Sequence, residues 1–137
     1  AILEKEGKLM QIAAAILIEN QKVFICQRAD AGNCANLWEF PGGKLETGET
    51  LEECVVRECE EELGIRIQVI RQLAVSTYQY PDRKVEITFF LAERMQGEPE
   101  IRVHQQIQWV TASQLPGYDF CPADRDLVAQ LSKNLPL

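Results

Sequence analysis

The stretch from Thr50 to Leu63 constrains this chain most, because it carries a helical pattern that contradicts itself. Leu51 and Val55 stand one helical turn apart with Cys54 beside them, an apolar stripe that must face a core. Continued by the helical period, that stripe runs into Glu58 and Glu62, with Glu61 one turn from Glu58 on a neighbouring face. Gly64 supplies a natural stop. Ionised carboxylates gathered on an inward surface cost free energy unless a cation compensates them. Arg57 offers one positive charge against three. A hard divalent cation with oxygen ligands meets the need, and Mg²⁺ normally keeps waters and shares its sphere with substrate phosphates. The bland alternative is a solvated acidic face made by Glu52, Glu53, Glu58, Glu60, Glu61 and Glu62.

What precedes the helix weighs against that alternative. Gly42-Gly43-Lys44-Leu45-Glu46-Thr47-Gly48-Glu49 is a segment whose glycines let backbone carbonyls come close to a metal or phosphate. Pro41-Gly42-Gly43 alone reads as an ordinary break in regular structure. Joined to the helix, it becomes a loop–helix–loop that presents a backbone oxygen and several carboxylates together.

The remaining pattern gives this helix a setting. Gln11 to Ile18 and Val23 to Arg28 flank the polar turn Glu19-Asn20-Gln21-Lys22 and read as a hairpin. Leu37 to Phe40, Ile65 to Ser76, Val85 to Arg94 and Gln106 to Val110 are further strand candidates, and Asp124 to Leu131 is a final helix with Leu127, Val128 and Leu131 on one side. That order predicts an α+β domain, layered α/β/α around a mixed sheet. The 137 residues suit one domain over 1–137, and no repeat or linker divides them.

A net charge of -7 argues against a nucleic-acid polymer as partner, since a sequence-independent grip on phosphates needs a basic surface. It leaves small phosphorylated ligands open, because a bound cation reverses the local sign. The odd count of five cysteines, without a CxxC pair, reads as free thiols in a reducing compartment, with a cytoplasmic location expected. No run of about eighteen apolar residues exists to cross a membrane. Ala1 to Met10 carries charges and no signal-peptide core.

Gly43, five residues, Glu49, seven residues, and then Arg57-Glu58-Cys59-Glu60-Glu61-Glu62-Leu63-Gly64-Ile65 resembles the Nudix box, Gx5Ex7REUxEExGU, over residues 43–65. Every charged and glycine position of the pattern is present. Cys59 stands where a bulky aliphatic is usual, and a thiol packs there as a small hydrophobe. Trp38-Glu39-Phe40-Pro41-Gly42-Gly43-Lys44, Pro81-Asp82-Arg83 and Pro122-Ala123-Asp124 are similar to segments of the MutT branch. The resemblance implies an α/β/α sandwich and hydrolysis of a nucleoside triphosphate by water attack at the β-phosphorus, giving a monophosphate and pyrophosphate. It implies Mg²⁺ as cofactor, with Mn²⁺ as a substitute. Carried over residue by residue, the metal ligands are Glu58, Glu61, Glu62 and the Gly43 carbonyl, with Glu49 a more distant partner. Arg57 orients the carboxylates, and Glu58 is the general base or holds the nucleophilic water. Such enzymes serve nucleotide-pool sanitation and DNA repair, act on a small nucleotide, and work as monomer or homodimer.

One position departs. Relatives carry a glutamate a few residues before the tryptophan matching Trp109, where this chain has Val103 followed by His104. His104 then reads as a surface loop residue or as a group for metal binding or proton transfer. Glu98 and Glu100 are the nearby acids.

The resemblance also places Arg28, Phe40, Arg83 and Asp124 near the nucleotide, with Tyr78 and Tyr80 as weaker candidates. Asp124 separates two substrates. The MutT prototype has an asparagine here, which offers a donor to O6 of 8-oxoguanine and an acceptor to its N7–H. An ionised aspartate only accepts and suits the N4 amine of cytosine, whereas a buried, protonated one could still meet O6. Sanitation of 8-oxo-dGTP and pyrophosphohydrolysis of CTP, dCTP or 5-methyl-dCTP are therefore both open, and so is simple capping of the last helix by Asp124. A Nudix-fold binding module with little catalysis is a third possibility.

Overall fold

The computed structural model describes residues 9–136, so the expectation for Ala1 to Lys8 lies outside it. Among these residues seven strands and two α-helices follow in order: β1 (Leu9–Glu19), β2 (Lys22–Gln27), β3 (Trp38–Glu39), β4 (Gly42–Lys44), α1 (Leu51–Leu63), β5 (Arg66–Gln79), β6 (Lys84–Gln96), β7 (Gln106–Thr111) and α2 (Arg125–Lys133). Two short 3-10 turns, Ala112–Gly117 and Pro122–Asp124, lead into α2.

The sheet runs β3-β2-β1-β6-β5, with β4 also paired to β1 and β7 to β2. It is mixed: β1 and β6 are parallel from Leu9↔Lys84 to Leu17↔Ala92, and the other pairings are antiparallel. Successive side chains of a strand point to opposite faces, and β1 uses both. Ala13, Ala15 and Leu17 join Val55, Cys59 and Leu63 under α1, whereas Ala14 and Ile16 join Phe89, Leu127 and Leu131 under α2. Two cores on two faces make the expected α/β/α sandwich. No helix among the described residues is long and apolar enough to cross a membrane.

Helix α1 is sharply bounded. Thr50 Oγ1 accepts from Glu53 N at 3.1 Å, and Glu53 Oε1 accepts from Thr50 N at 2.8 Å, a complete capping box. At the other end Gly64 takes φ 71°, a left-handed turn that glycine adopts without a Cβ penalty, and donates to Glu60 O. The core stripe does not end at the glutamates as the sequence suggested. It continues along Leu51-Val55-Cys59-Leu63, and Glu58 and Glu62 stand in the adjacent row with Cys54.

Pro41-Gly42-Gly43 also differs from the break expected of it. Gly42 to Lys44 forms β4, antiparallel to Ile12–Ala14 of β1. The glycines carry little intrinsic strand preference, so this pairing is a tertiary effect.

Candidate active site

An open cavity of about 660 Å³ is lined by the carboxylates Glu39, Glu58 and Glu62 and by the aromatic and basic residues Phe40, Tyr80, Arg28 and Arg83. α1 brings Glu58 and Glu62 to it, β3 brings Glu39, and β4 brings Gly43. Val55, Cys59 and Leu63 anchor α1 on its sheet, and Glu58 and Glu62 in the adjacent row line the cavity.

Arg57 organises the carboxylate end. Its guanidinium donates to Glu49 at 3.0 and 2.7 Å, to Glu58 Oε1 at 2.6 Å, to Glu61 Oε2 at 3.1 Å and to the Lys44 carbonyl at 3.1 Å. A planar fork of five N–H donors can hold such a set where an ammonium cannot. The Arg57 hydrogen bonds, followed by one from the Glu46 backbone, hold the Glu49 carboxyl down at about 2.

Glu62 has no such partner. Burial, then the negative charges of Glu39 and Glu58, push its carboxyl up to about 8, and its Oε1 is buried without a hydrogen bond. A carboxylate cluster in this condition fits a divalent cation, whose charge would reverse the unfavourable balance. Gly43 fits as well. A Cβ added there would overlap the Glu58 carboxylate as it stands, so glycine lets the β4 backbone pass close to that acid.

At the opposite wall Asp124 is 4% exposed. Burial, then the Glu39 charge, raises its carboxyl well above the ordinary range, so the neutral acid is favoured. It occupies the cap position of α2, yet its side chain makes no capping hydrogen bond. Capping is therefore not its role. Arg83 lies 4.6 Å above the Tyr80 ring, and the Tyr80 hydroxyl accepts from Ala123 N at 3.2 Å, so Tyr80, Arg83 and Asp124 share this wall. Arg28 is tied to Glu39 Oε1 at 2.9 Å and to the Asn33 carbonyl at 2.9 Å. Phe40 is buried, stacked on Phe120 with centroids 5.4 Å apart, and reaches the cavity from within the core.

The structure thus brings Gly43, Glu58, Glu62, Arg28, Phe40, Arg83 and Asp124 to one cavity. Glu49 lies behind Arg57. Glu61 has a side chain 59% exposed and faces a separate groove beside Val56 and Glu60. Tyr78 packs at a tilt against Tyr80 without lining the cavity, and Glu98 and Glu100 pair with Arg94 and Arg102 away from it. Val103 is 54% exposed, whereas His104 is buried, with Nε2 3.2 Å from Glu39 Oε2.

Glu39 was not singled out from the sequence. The signal was present: strand alternation puts it opposite the core aromatics Trp38 and Phe40, on the same face as Cys26, its register partner.

This fold and this constellation define an enzyme class, hydrolases of nucleotide diphosphate bonds. The chain belongs to the Nudix family: the NUDIX domain model matches residues 9–131. It is MutT-like. It is 42% identical over 127 residues to the 8-oxo-dGTP diphosphatase of Escherichia coli (strain K12), covering 92% of this chain and 98% of that protein. It is also 31% identical over 121 residues to the CTP pyrophosphohydrolase of the same strain, covering 88% of this chain and 90% of that one. The solution structure of the E. coli ORF135 protein superposes with a TM-score of 0.80 at 30% identity, covering 90% of this chain and 88% of the other. Nudix hydrolases generally use a divalent metal and act on small nucleotides.

Proposed function

We propose that this protein is a Mg²⁺-dependent nucleoside triphosphate pyrophosphohydrolase that releases a nucleoside monophosphate and pyrophosphate, with 8-oxo-dGTP as its substrate. The observation carrying this reading is the cavity itself, with Glu58, Glu62 and Gly43 at one end and a buried, uncapped Asp124 at the other.

Glu58, Glu62 and the Gly43 carbonyl would hold the ions, with Glu61 and Glu49 as flanking carboxylates. Divalent cations supply neutralisation of the polyphosphate and a lowered pKa for the attacking water. Glu58 accepts the proton of that water, held in place by Arg57. Arg28 and Arg83 sit where charged donors can meet phosphate or base.

Asp124 decides the base. As a neutral acid it offers both an O–H donor for O6 and an acceptor for N7–H of 8-oxoguanine, the same pair an asparagine offers. A second substrate, CTP or its deoxy or 5-methyl forms, follows if Asp124 ionises and accepts from the N4 amine. The similarity to a protein named CTP pyrophosphohydrolase supports keeping it in view.

The sign of the pH effect follows. A carboxyl whose folded pKa is raised stays protonated at lower pH and ionises as pH climbs through the raised value. Preference for 8-oxo-dGTP over dCTP is thus expected to be greatest at low pH and to fall as pH rises. Asp124→Asn should fix the purine preference at all pH values, changing the kcat/KM ratio by about ten- to a hundredfold at high pH. Pyrophosphate release over a panel of normal and damaged triphosphates, read with added pyrophosphatase and malachite green, checks both. Identical ratios in parent and variant across the pH range would remove Asp124 from base readout.

A further inference from the structure

Beneath the carboxylate end of the cavity three elements meet. β2 lies between β3 and β7, so Cys26 of β2, Glu39 of β3 and His104, two residues before β7, approach one another on the α1 face. One ligand atom from each of the three lies within 4.8 Å of the other two. His104 Nε2 stands 3.2 Å from Glu39 Oε2 and 4.0 Å from Glu62 Oε1. The spot is dry, with Cys26 fully buried and the His104 side chain 3% exposed. Two of its polar atoms, Glu62 Oε1 and His104 Nδ1, are buried without a hydrogen-bond partner.

We propose that Cys26 Sγ, the Glu39 carboxylate and an imidazole nitrogen of His104, with Glu62 as fourth donor, form a binding site for a thiophilic divalent cation of the Zn²⁺ type. A tetrahedral ion with bonds near 2.0–2.3 Å sets its donors roughly 3.3–3.8 Å apart, and the spacings above bracket that edge. Sulfur and nitrogen donors select such an ion over Mg²⁺, which prefers six oxygens. Entry is from the cavity, because Glu39 and Glu62 line it while Cys26 and His104 lie behind them. Binding forms a sulfur–metal bond, breaks the Cys26 S–H bond and passes its proton to solvent. The inference does not depend on which base the enzyme prefers.

His104 is the single histidine of the chain, so its ring gives an unambiguous probe in tag-free protein. Long-range ¹H–¹⁵N correlation spectra during Zn²⁺ titration should show one ring nitrogen moving to the position of a metal-bound imidazole by one equivalent, with excess Mg²⁺ leaving it in place. Co²⁺ in place of Zn²⁺ should give the intense visible bands of a four-coordinate ion and a near-ultraviolet sulfur-to-cobalt band. Cys26→Ser should abolish that near-ultraviolet band and weaken Co²⁺ binding at least about tenfold. A histidine resonance unmoved by Zn²⁺ would overturn the site, and that test needs no variant. So would a weak six-coordinate Co²⁺ spectrum, or a sulfur band that survives in a folded Cys26→Ser protein.

Discussion

Arg57 shows how one side chain can set the chemistry of several others. Its guanidinium touches Glu49, Glu58, Glu61 and the Lys44 carbonyl, joining the loop before α1 to the acids on it. Lysine keeps the charge but has neither the plane nor the number of donors. Arg57→Lys is expected to lower kcat by about ten- to a hundredfold, as loss of an orienting partner does at metal sites. Substrate KM should change little, and steady-state kinetics at saturating Mg²⁺ checks the split. At this scale the sequence was informative where spacing along one element decided the outcome. Glu58 and Glu62 were legible because an i, i+4 row is a local fact. Glu39 was not, and His104 was read with a surface role left open, since only the pairing of β2 with both β3 and β7 carries them to Glu62. Asp124 could be read either as a cap or as a contact to the base, and whether its side chain bonds to the start of α2 is not something a pattern specifies.

Among the elements, α1 bears the site and is fixed at both ends. The Thr50–Glu53 box satisfies backbone donors that would otherwise be unpaired at the helix start. Thr50→Ala should cost about 1 kcal/mol of stability, seen as a lower urea midpoint with an unchanged slope. The metal-facing residues are further down the helix, so turnover per folded molecule should stay near the parent value. The helix boundaries were readable from Thr50 and Gly64, because caps are short-range chemistry. β4 was not readable, since two glycines and a lysine have no strand signature of their own. Their extended path exists because Ala13 and Ala14 of β1 leave room for a close backbone neighbour. That pairing also brings the Gly43 backbone close to Glu58.

At the scale of the whole molecule, both faces of one mixed sheet are covered, and the cavity opens where β1, β4, α1 and the turn before α2 come together. The order of strands and helices was enough to foresee a layered sandwich, and small and branched residues of β1 fill both of its faces. The strand order and the depth of the cavity were beyond the pattern, as they depend on long-range pairing. In a protein of net charge -7, the cavity gathers Glu39, Glu58 and Glu62, with Arg28 bound to Glu39 and Arg83 over Tyr80, an arrangement in which divalent cations could offset the acids against an anionic substrate. The central claim is that Glu62, beside Glu58 at the carboxylate end of the cavity, grips a divalent ion on the polyphosphate. Its most direct test is pyrophosphate release by Glu62→Gln against Mg²⁺ concentration, beside the parent protein. A fall in kcat on the order of a hundredfold, with a higher Mg²⁺ requirement, is the predicted result. Equal rates and equal Mg²⁺ dependence in a folded variant would contradict it.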